Sequence, residues 1–273
     1  MKPSQPVVLI TGASSGLGRA TAEHLHEHGY RVYGTSRKPE AAPELPFPLL
    51  QVDVADEASV RQAVEHIVTQ EGRLDVVVNN AGYGIAGAVE ETTPEEAMRQ
   101  LDVNLLGVLR VCRAALPVMR RQGSGFILNV SSLGGRVGLP FQGWYSASKF
   151  ALEGLTEALR MEVAPFGVRV ALLEPGDFRT GFTAQRQWTS ESTESSPYGE
   201  RARRCVGVME ADEQSGAHPE QAARLIRRII ETPRPKVRYT VGPLAQRAMI
   251  ALRPFIPGRL FEWGIRKYYR LDE

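Results

Sequence analysis

The sequence contains a tyrosine, a lysine and a serine whose types and spacing suit proton transfer. Tyr145 and Lys149 lie four residues apart, and Ser132 precedes Tyr145 by thirteen positions. If the segment is helical, the tyrosine and the lysine share one face with about 5–6 Å between them. A phenol has a reference pKa of about 10, and a neighbouring ammonium favours its ionised form. The pair alone also fits a surface tyrosine beside a solvated lysine, so the surrounding elements must decide.

A glycine-rich turn near the N-terminus has the composition of a phosphate-binding site. The apolar run Val7–Ile10 predicts a strand, and the turn Thr11–Gly18 separates it from a helical stretch. Glycine lets the backbone approach a pyrophosphate closely, and free N–H groups at the start of a helix favour negative charge. The glycine spacing departs from the GxGxxG fingerprint of dinucleotide sites. The predicted cofactor contacts in this turn are Gly12, Ser14, Ser15, Gly16, Leu17 and Gly18.

Alternating strand and helix patterns predict an α/β fold with a single Rossmann-type, doubly wound parallel sheet. About seven strands are predicted, near residues 7–11, 31–35, 48–53, 74–79, 125–130, 168–174 and 237–241. Most are continuous apolar runs, as expected for strands that helices cover on both faces. Ligands of such sheets bind at the carboxyl ends of the strands, near the switch in strand order. The glycine turn, Asn80 and Ser132 are therefore predicted to meet in one cleft.

The composition agrees with one catalytic domain spanning residues 1–273. The chain is 42% hydrophobic and 23% charged, with a formal net charge of +2. Its two cysteines, Cys112 and Cys205, fit neither a disulfide framework nor a metal-ligand spacing, so no metal is predicted. The N-terminus lacks the apolar core of a signal peptide, and no apolar run approaches the ~20 residues of a membrane span. We expect a cytoplasmic protein.

Three motifs, in this order, resemble those of the short-chain dehydrogenase/reductase family. They are TGxxxGxG at Thr11–Gly18, NNAG at Asn79–Gly82 and YxxxK at Tyr145–Lys149. The resemblance covers about Val7–Thr183, and Gly138–Glu157 is most similar to the branch of 17β-hydroxysteroid and retinol dehydrogenases. It implies hydride transfer between a nicotinamide cofactor and an alcohol or carbonyl compound.

The resemblance also implies a role for each candidate catalytic residue. Ser132 would polarise the substrate oxygen, whereas the adjacent Ser131 would point to the opposite face of an extended strand. Tyr145 would exchange the proton, and Lys149 would lower the pKa of its phenol and hold the cofactor ribose. Asn104 resembles the asparagine that kinks its helix and carries a water between Lys149 and solvent. An ordinary helix-surface amide is the alternative for Asn104.

The end of the second predicted strand favours NADP(H) over NAD(H). NAD-preferring sites place an acidic residue here, but this chain has Ser36 followed by Arg37, so a 2′-phosphate would meet a guanidinium. Solvated turn residues are the alternative interpretation of Arg37 and Lys38. The resemblance assigns further cofactor contacts to Asp53 and Val54, to Asn80, Ala81 and Gly82, and to Pro175, Gly176, Phe178 and Thr180.

The sequence constrains the substrate side less. Candidate pocket walls besides Ser132 are Leu139, Phe141, Trp144 and Phe182, each of which fits core packing or a subunit contact equally well. Residues 183–217 show no clear periodicity and are predicted to form a mobile substrate loop, with a disordered surface insertion as the alternative.

The C-terminal stretch is strongly basic. Residues 224–273 contain twelve Lys/Arg and four Asp/Glu, interleaved with apolar side chains. Residues 243–273 are therefore predicted to cap the substrate pocket, while contact with an anionic membrane surface or attraction of an acidic carrier or thioester substrate stay open. Neither a recognition motif nor overall basicity supports a nucleic-acid partner.

Together these features predict an NADP(H)-dependent oxidoreductase that interconverts an alcohol and a ketone or aldehyde on a hydrophobic, steroid-, retinoid- or lipid-like molecule. A 3-oxoacyl reductase acting on acyl thioesters is the second enzyme hypothesis. A regulatory protein that senses NADP(H) without turnover is the alternative of another class, and it would need no proton donor. The resemblance implies a homodimer or homotetramer formed through helices around 102–121 and 145–165.

Overall fold

The protein is built around a seven-stranded, fully parallel sheet with helices on both faces. The computed structural model describes residues 5–273. The strands are β1 (Val7–Ile10), β2 (Arg31–Ser36), β3 (Leu49–Gln51), β4 (Val76–Asn79), β5 (Ile85–Ala86), β6 (Gly125–Val130), β7 (Val168–Pro175), β8 (Gln187–Trp188) and β9 (Arg238–Val241). The large sheet has the order β3-β2-β1-β4-β6-β7-β9. All seven predicted strands and the doubly wound α/β class are confirmed.

Helices cover both faces because the strand side chains alternate between two apolar cores. The helices are α1 (Gly16–Glu27), α2 (Glu57–Glu71), α3 (Pro94–Leu101), α4 (Gly107–Gln122), α5 (Gly143–Val163), α6 (Phe182–Gln185), α7 (Gly199–Ser215), α8 (Pro219–Glu231), α9 (Leu244–Leu252) and α10 (Gly258–Tyr268). Leu9 and Val77 pack in one core with α2, α4 and α5, whereas Val8 and Val78 pack in the other with α1 and α8. The central strands β1, β4 and β6 carry apolar side chains on both faces, which explains their continuous apolar runs in the sequence.

Residues 183–217 were predicted to form a loop, but part of this segment is regular secondary structure. The segment contains β8 and α7, and the buried residues in α7 are Gly199, Ala202, Cys205, Val206 and Met209. The last four have the i, i+3, i+4, i+7 spacing of an amphipathic helix, hidden in the sequence by the charged residues between them. Strand β8 pairs with β5, and two residues are too few to leave a periodic pattern. The mobility of the segment stays a prediction.

The C-terminal helices α9 and α10 lie over the loop that follows β7, at the position predicted for the cap. The Gln246 amide donates to the Asp177 carboxylate, and the Asp177 backbone N–H donates to Gln246 Oε1 over 3.0 Å. Ile250 packs with Leu133 and Val137 in a small apolar cluster. Within residues 5–273, no helix is long and apolar enough to cross a membrane.

Candidate active site

A cavity of about 1420 Å³ opens at the carboxyl ends of the strands. The loops after β1, β2, β3, β4, β6 and β7 contribute to its wall, and the strand order reverses beside β1. Doubly wound sheets bind their ligands at this place. The predicted site residues line the cavity with four exceptions, which are Gly18, Asn104, Phe141 and Trp144.

The glycine turn has the backbone shape that its sequence predicts. Gly12 and Gly16 have positive φ angles of 67° and 57°, which side chains other than glycine rarely adopt. The Asn80 side-chain amide donates to the carbonyl oxygens of Thr11 and Gly12 over 2.9 and 3.0 Å, so it ties the end of β4 to the turn. No side chain caps the start of α1, which leaves its first N–H groups for a ligand. The turn therefore fits the pyrophosphate of a dinucleotide.

Gly18 was predicted to contact the cofactor, but it lies behind the turn and does not line the cavity. A Cβ atom at this position would lie 2.2 Å from the Gly12 carbonyl oxygen and 2.4 Å from Asn80 Nδ2. Glycine is needed here because α1 packs directly on the turn. Gly18 therefore shapes the site through Gly12 and Asn80.

The structure brings the proton-transfer residues together beside the ends of β6 and β7. Tyr145 lies in the first turn of α5 and is buried, as is Lys149 one turn later. The Ser132 hydroxyl lies close enough to Tyr145 to lower the pKa of its phenol, and it accepts a hydrogen bond from the Gly134 backbone N–H over 3.0 Å. The Ser131 hydroxyl is buried without a hydrogen-bond partner among the described residues, and Ser132 is the serine that lowers the pKa of the phenol.

Burial dominates the electrostatics of the tyrosine–lysine pair. It raises the pKa of Tyr145 to about 12, against the lowering effect of the Ser132 hydrogen bond. Burial also lowers the pKa of Lys149 to about 8, while Glu153 opposes that change. Lys149 Nζ lies 5.9 Å from the Tyr145 ring centroid and donates to the Val130 carbonyl oxygen over 2.9 Å. The lowering of the phenol pKa that was expected from Lys149 is outweighed by the loss of hydration on burial.

Asn104 supports the site from behind the cavity wall. It lies in a π-helical turn, Asp102–Leu106, which joins α3 to α4 and provides the predicted distortion of the helix. Its amide nitrogen donates to the Tyr83 carbonyl oxygen and to Ser148 Oγ over 3.0 and 3.1 Å. Asn104 Oδ1 and Lys149 Nζ both approach Gly82, at 3.0 and 3.8 Å from an ideal Cβ there. The asparagine is therefore a buried structural link and not a surface amide.

The end of the cavity beside β2 carries positive charges that have no acidic partner among the described residues. Arg37 and Lys38 are exposed, and neither has an acidic partner within 4.0 Å among residues 5–273. The Lys38 backbone N–H donates to Ser36 Oγ over 3.2 Å. Burial raises the pKa of the Tyr83 phenol, and the positive charges of Arg99 and Arg37 oppose that change. Arg99 therefore belongs to this end of the cavity, although its position on α3 gave no signal in the sequence.

At the opposite end, aromatic and acidic side chains surround Tyr145. The ring of Phe182 lines the cavity and lies 5.8 Å from that of Tyr145 between centroids. Phe141 and Trp144, also predicted as pocket walls, do not line the cavity. Phe141 has a φ of 57° in the turn before α5 and its carbonyl oxygen accepts from the Gly87 N–H, while Trp144 precedes Tyr145 on the helix and so faces about 100° away.

Two carboxylates near Tyr145 were not found by sequence reasoning. Burial raises the pKa of Asp177 to about 6, the Gln246 hydrogen bond opposes this, and Glu213 raises it further. The negative charges of Glu213 and Asp177 also raise the pKa of Tyr145. Glu213 is paired with the buried Arg186. The cavity thus has an acidic end beside the proton donor.

Outside the cavity, α1 brings three potential metal ligands together. Ligand atoms of His24, Glu27 and His28 lie within 4.8 Å of one another. Burial lowers the pKa of His24, and the charges of Arg227 and Arg224 add to that effect. These cations disfavour a metal ion, so the group supports no revision of the predicted chemistry.

The fold and the site together define an oxidoreductase that uses a nicotinamide dinucleotide. The sequence profile of the short chain dehydrogenase family matches residues 6–191 of this chain. The protein belongs to the short-chain dehydrogenase/reductase family, as its motifs predict. Members bind NAD(P)(H), act on small molecules and commonly assemble into oligomers.

The relatives are similar over nearly the whole chain. A 3-ketodihydrosphingosine reductase from Bacteroides thetaiotaomicron is 44% identical over 97% of this chain and 98% of its own. Human 17-beta-hydroxysteroid dehydrogenase type 1 is 37% identical over 86% of this chain and 77% of its own, which confirms the predicted branch. A solved short-chain dehydrogenase from Streptomyces avermitilis has a TM-score of 0.83 and 36% identity, covering 96% of this chain and 97% of its own.

Proposed function

We propose that this protein reduces a ketone on a long-chain, largely apolar molecule and that it uses NADPH. The observation that carries the proposal is the placement of Ser132 and the buried Tyr145 together on the wall of the cavity. The cap continues that wall with apolar side chains, namely Met249, Ile256, Leu260, Phe261, Trp263 and Ile265. A protein that only senses NADP(H) would need no buried proton donor, so the pair favours an enzyme.

Each candidate catalytic residue has a separate role in the proposed reduction. Ser132 and Tyr145 hydrogen-bond the carbonyl oxygen and stabilise the charge that develops on it. When held by the glycine turn and Lys149, NADPH would supply the hydride for the carbonyl carbon. Tyr145 gives its phenolic proton to the substrate oxygen, which becomes a hydroxyl group, and Lys149 stabilises the phenolate that remains. Asn104 holds the π-helical turn that borders the lysine.

The protonation state of Tyr145 suits its role as the proton donor in reduction. With a pKa of about 12, the phenol keeps its proton at neutral pH. An alkoxide is a stronger base than a phenolate, so this proton transfer is favourable once hydride has moved. Oxidation would begin from the phenolate, which burial disfavours. The phenol therefore has the protonation state that ketone reduction requires.

Replacing Arg37 with alanine is expected to raise the KM for NADPH by roughly 10- to 100-fold and to leave that for NADH nearly unchanged. A charge-assisted hydrogen bond to a phosphate contributes about 1.5–3 kcal/mol, and only NADPH carries the 2′-phosphate. Initial rates with each nucleotide would measure the change. Arg61→Ala on α2, outside the cavity wall, is the matched control. Equal losses with both nucleotides would show that Arg37 does not contact the 2′-phosphate.

The substrate that we propose is a long-chain 2-amino ketone. The name of the Bacteroides relative describes such a compound, with an amino group on the carbon beside the ketone. An ammonium at that place would lie close to the reacting carbonyl, and Asp177 and Glu213 supply negative charge beside Tyr145. Because Arg186 already pairs with Glu213, Asp177 is the carboxylate that an ammonium would stabilise.

Replacing Asp177 with asparagine is expected to lower kcat/KM for the amino ketone by roughly tenfold, because a partly screened charge pair contributes about 1–2 kcal/mol. In the wild type, kcat/KM should fall as the pH drops below about 6, where Asp177 gains a proton, and the variant should lack this limb. Asparagine still accepts the hydrogen bond from Gln246. The N-acetylated ketone, which has no charge, is the control substrate, and an equal loss with it would refute an ammonium contact.

The proposal as a whole is tested by following NADPH oxidation with a panel of carbonyl compounds. The panel contains a long-chain 2-amino ketone, its N-acetyl derivative, a 3-oxoacyl thioester and a steroid ketone. Fastest turnover of the amino ketone would support the proposal, whereas a preference for the thioester would favour a 3-oxoacyl reductase. Tight NADPH binding without turnover of any compound would favour a cofactor-sensing protein.

A further inference from the structure

The cap exposes an unusual number of large apolar side chains. Of the thirteen such residues exposed among residues 5–273, six belong to α9, α10 or the turn between them. Phe255 is 83% exposed and Trp263 is 58% exposed. We call this surface the C-terminal face, and its exposed apolar residues are Leu244, Leu252, Phe255, Leu260, Trp263 and Tyr268. Single exposed apolar residues are ordinary, but a group on one surface indicates a binding site.

The same surface carries arginines without acidic partners. Arg247, Arg253, Arg259 and Arg270 are exposed, and none of them has a carboxylate within 4.0 Å among the described residues. Arg266, by contrast, is paired with Asp272. Apolar side chains beside unpaired cations are the combination found in helices that lie in the surface of an anionic bilayer.

The charge argues for a bilayer and against a second copy of the chain. In a two-fold dimer built through the C-terminal face, the unpaired arginines of each copy would face the same cations of the other copy. Anionic lipid headgroups would instead neutralise these charges while the aromatic side chains enter the interface between headgroups and acyl chains.

The C-terminal face is continuous with the cavity. Leu260 and Trp263 are more than half exposed, and both also line the cavity wall. Ile256 and Phe261, which are less exposed, extend the apolar lining inward. A long-chain molecule therefore has an apolar path from the C-terminal face to Tyr145.

We propose that the C-terminal face docks on an anionic membrane surface, and that the cavity opens there to substrate dissolved in the bilayer. Docking itself goes beyond the proposed reduction and does not depend on it. The entry route rests on the proposed apolar substrate, so docking must be measured without turnover.

The test is co-sedimentation of the full-length protein with vesicles of phosphatidylcholine containing about one third phosphatidylglycerol, compared with vesicles of phosphatidylcholine alone. We expect binding to the anionic vesicles that weakens with salt. The double variant Arg253→Glu/Arg259→Glu should lose roughly tenfold or more of that binding, because each cation near an anionic surface contributes to it. Phe255→Ser should also lose binding, and neither Arg253, Arg259 nor Phe255 lines the cavity.

Matched controls come from exposed residues on other surfaces. Phe166→Ser removes an aromatic ring that is 45% exposed after α5, and Arg121→Glu reverses a charge at the end of α4. Both controls should bind vesicles as the wild type does, and unchanged melting temperatures would exclude unfolding. Equal binding to both vesicle types, or no effect of the arginine reversals, would overturn the proposal. A change from oligomer to monomer in Phe255→Ser, without vesicle binding by the wild type, would assign the face to a second copy.

Discussion

Replacing Tyr145 with phenylalanine is expected to lower kcat/KM for ketone reduction by roughly 10³-fold or more. The variant loses the proton donor, whose contribution in general acid catalysis is about 10²–10⁴-fold. It also loses one of the two hydrogen bonds to the developing oxyanion. Phenylalanine keeps the buried ring and its contact with Phe182, so the cavity should keep its shape.

Single-turnover rates and NADPH affinity should be measured together for Tyr145→Phe. We expect the affinity to stay within a few-fold of the wild type, because the glycine turn and Arg37 are unchanged. Tyr30→Phe is the matched control, since it removes a phenol that contacts Glu231 outside the cavity. If Tyr145→Phe reduces ketones at the wild-type rate, the proton comes from another group and the proposed mechanism is wrong.

Replacing Gly18 with alanine is expected to cost about 3 kcal/mol of folding free energy or more. The added methyl group would lie 2.2 Å from the Gly12 carbonyl oxygen, a backbone atom that cannot move without opening the turn. Overpacking of this kind typically costs about 1–3 kcal/mol, and here it also disturbs the hydrogen bond from Asn80 to Gly12. For a chain of this size we expect the melting temperature to fall by roughly 6–12 °C.

Gly154→Ala is the control with the opposite expected sign. Gly154 lies inside α5 with no atom within 4 Å of an ideal Cβ. Alanine there should stabilise the protein by about 0.5–1 kcal/mol, because glycine has a poor helix propensity. Thermal unfolding of both variants, with and without NADPH, separates the two effects. A Gly18→Ala protein that melts like the wild type would show that α1 does not pack on the turn as described.

The parts of the site that could be predicted are those formed by residues close together in the sequence. The strand that begins at Val7, the turn from Thr11 to Gly18 and the helical pairing of Tyr145 with Lys149 depend on residues close together in the chain. Hydrophobic runs and glycine positions carry that information directly. The helix α7 was missed because charged residues obscure its buried stripe. Asp177 was missed because a single carboxylate after a Pro-Gly turn has no pattern.

Sequence alone determined the fold class, the family motifs and which side chains can do the chemistry. Only the tertiary structure determined the pKa values of these side chains and the groups that they contact. The Tyr145 phenol is harder to ionise than expected because the atoms that bury it come from many segments, and Lys149 turns to the Val130 carbonyl oxygen. Likewise, Gln246 reaches Asp177 across 69 positions of the chain. Hydration is lost through all surrounding atoms at once, so no local pattern of residues encodes it.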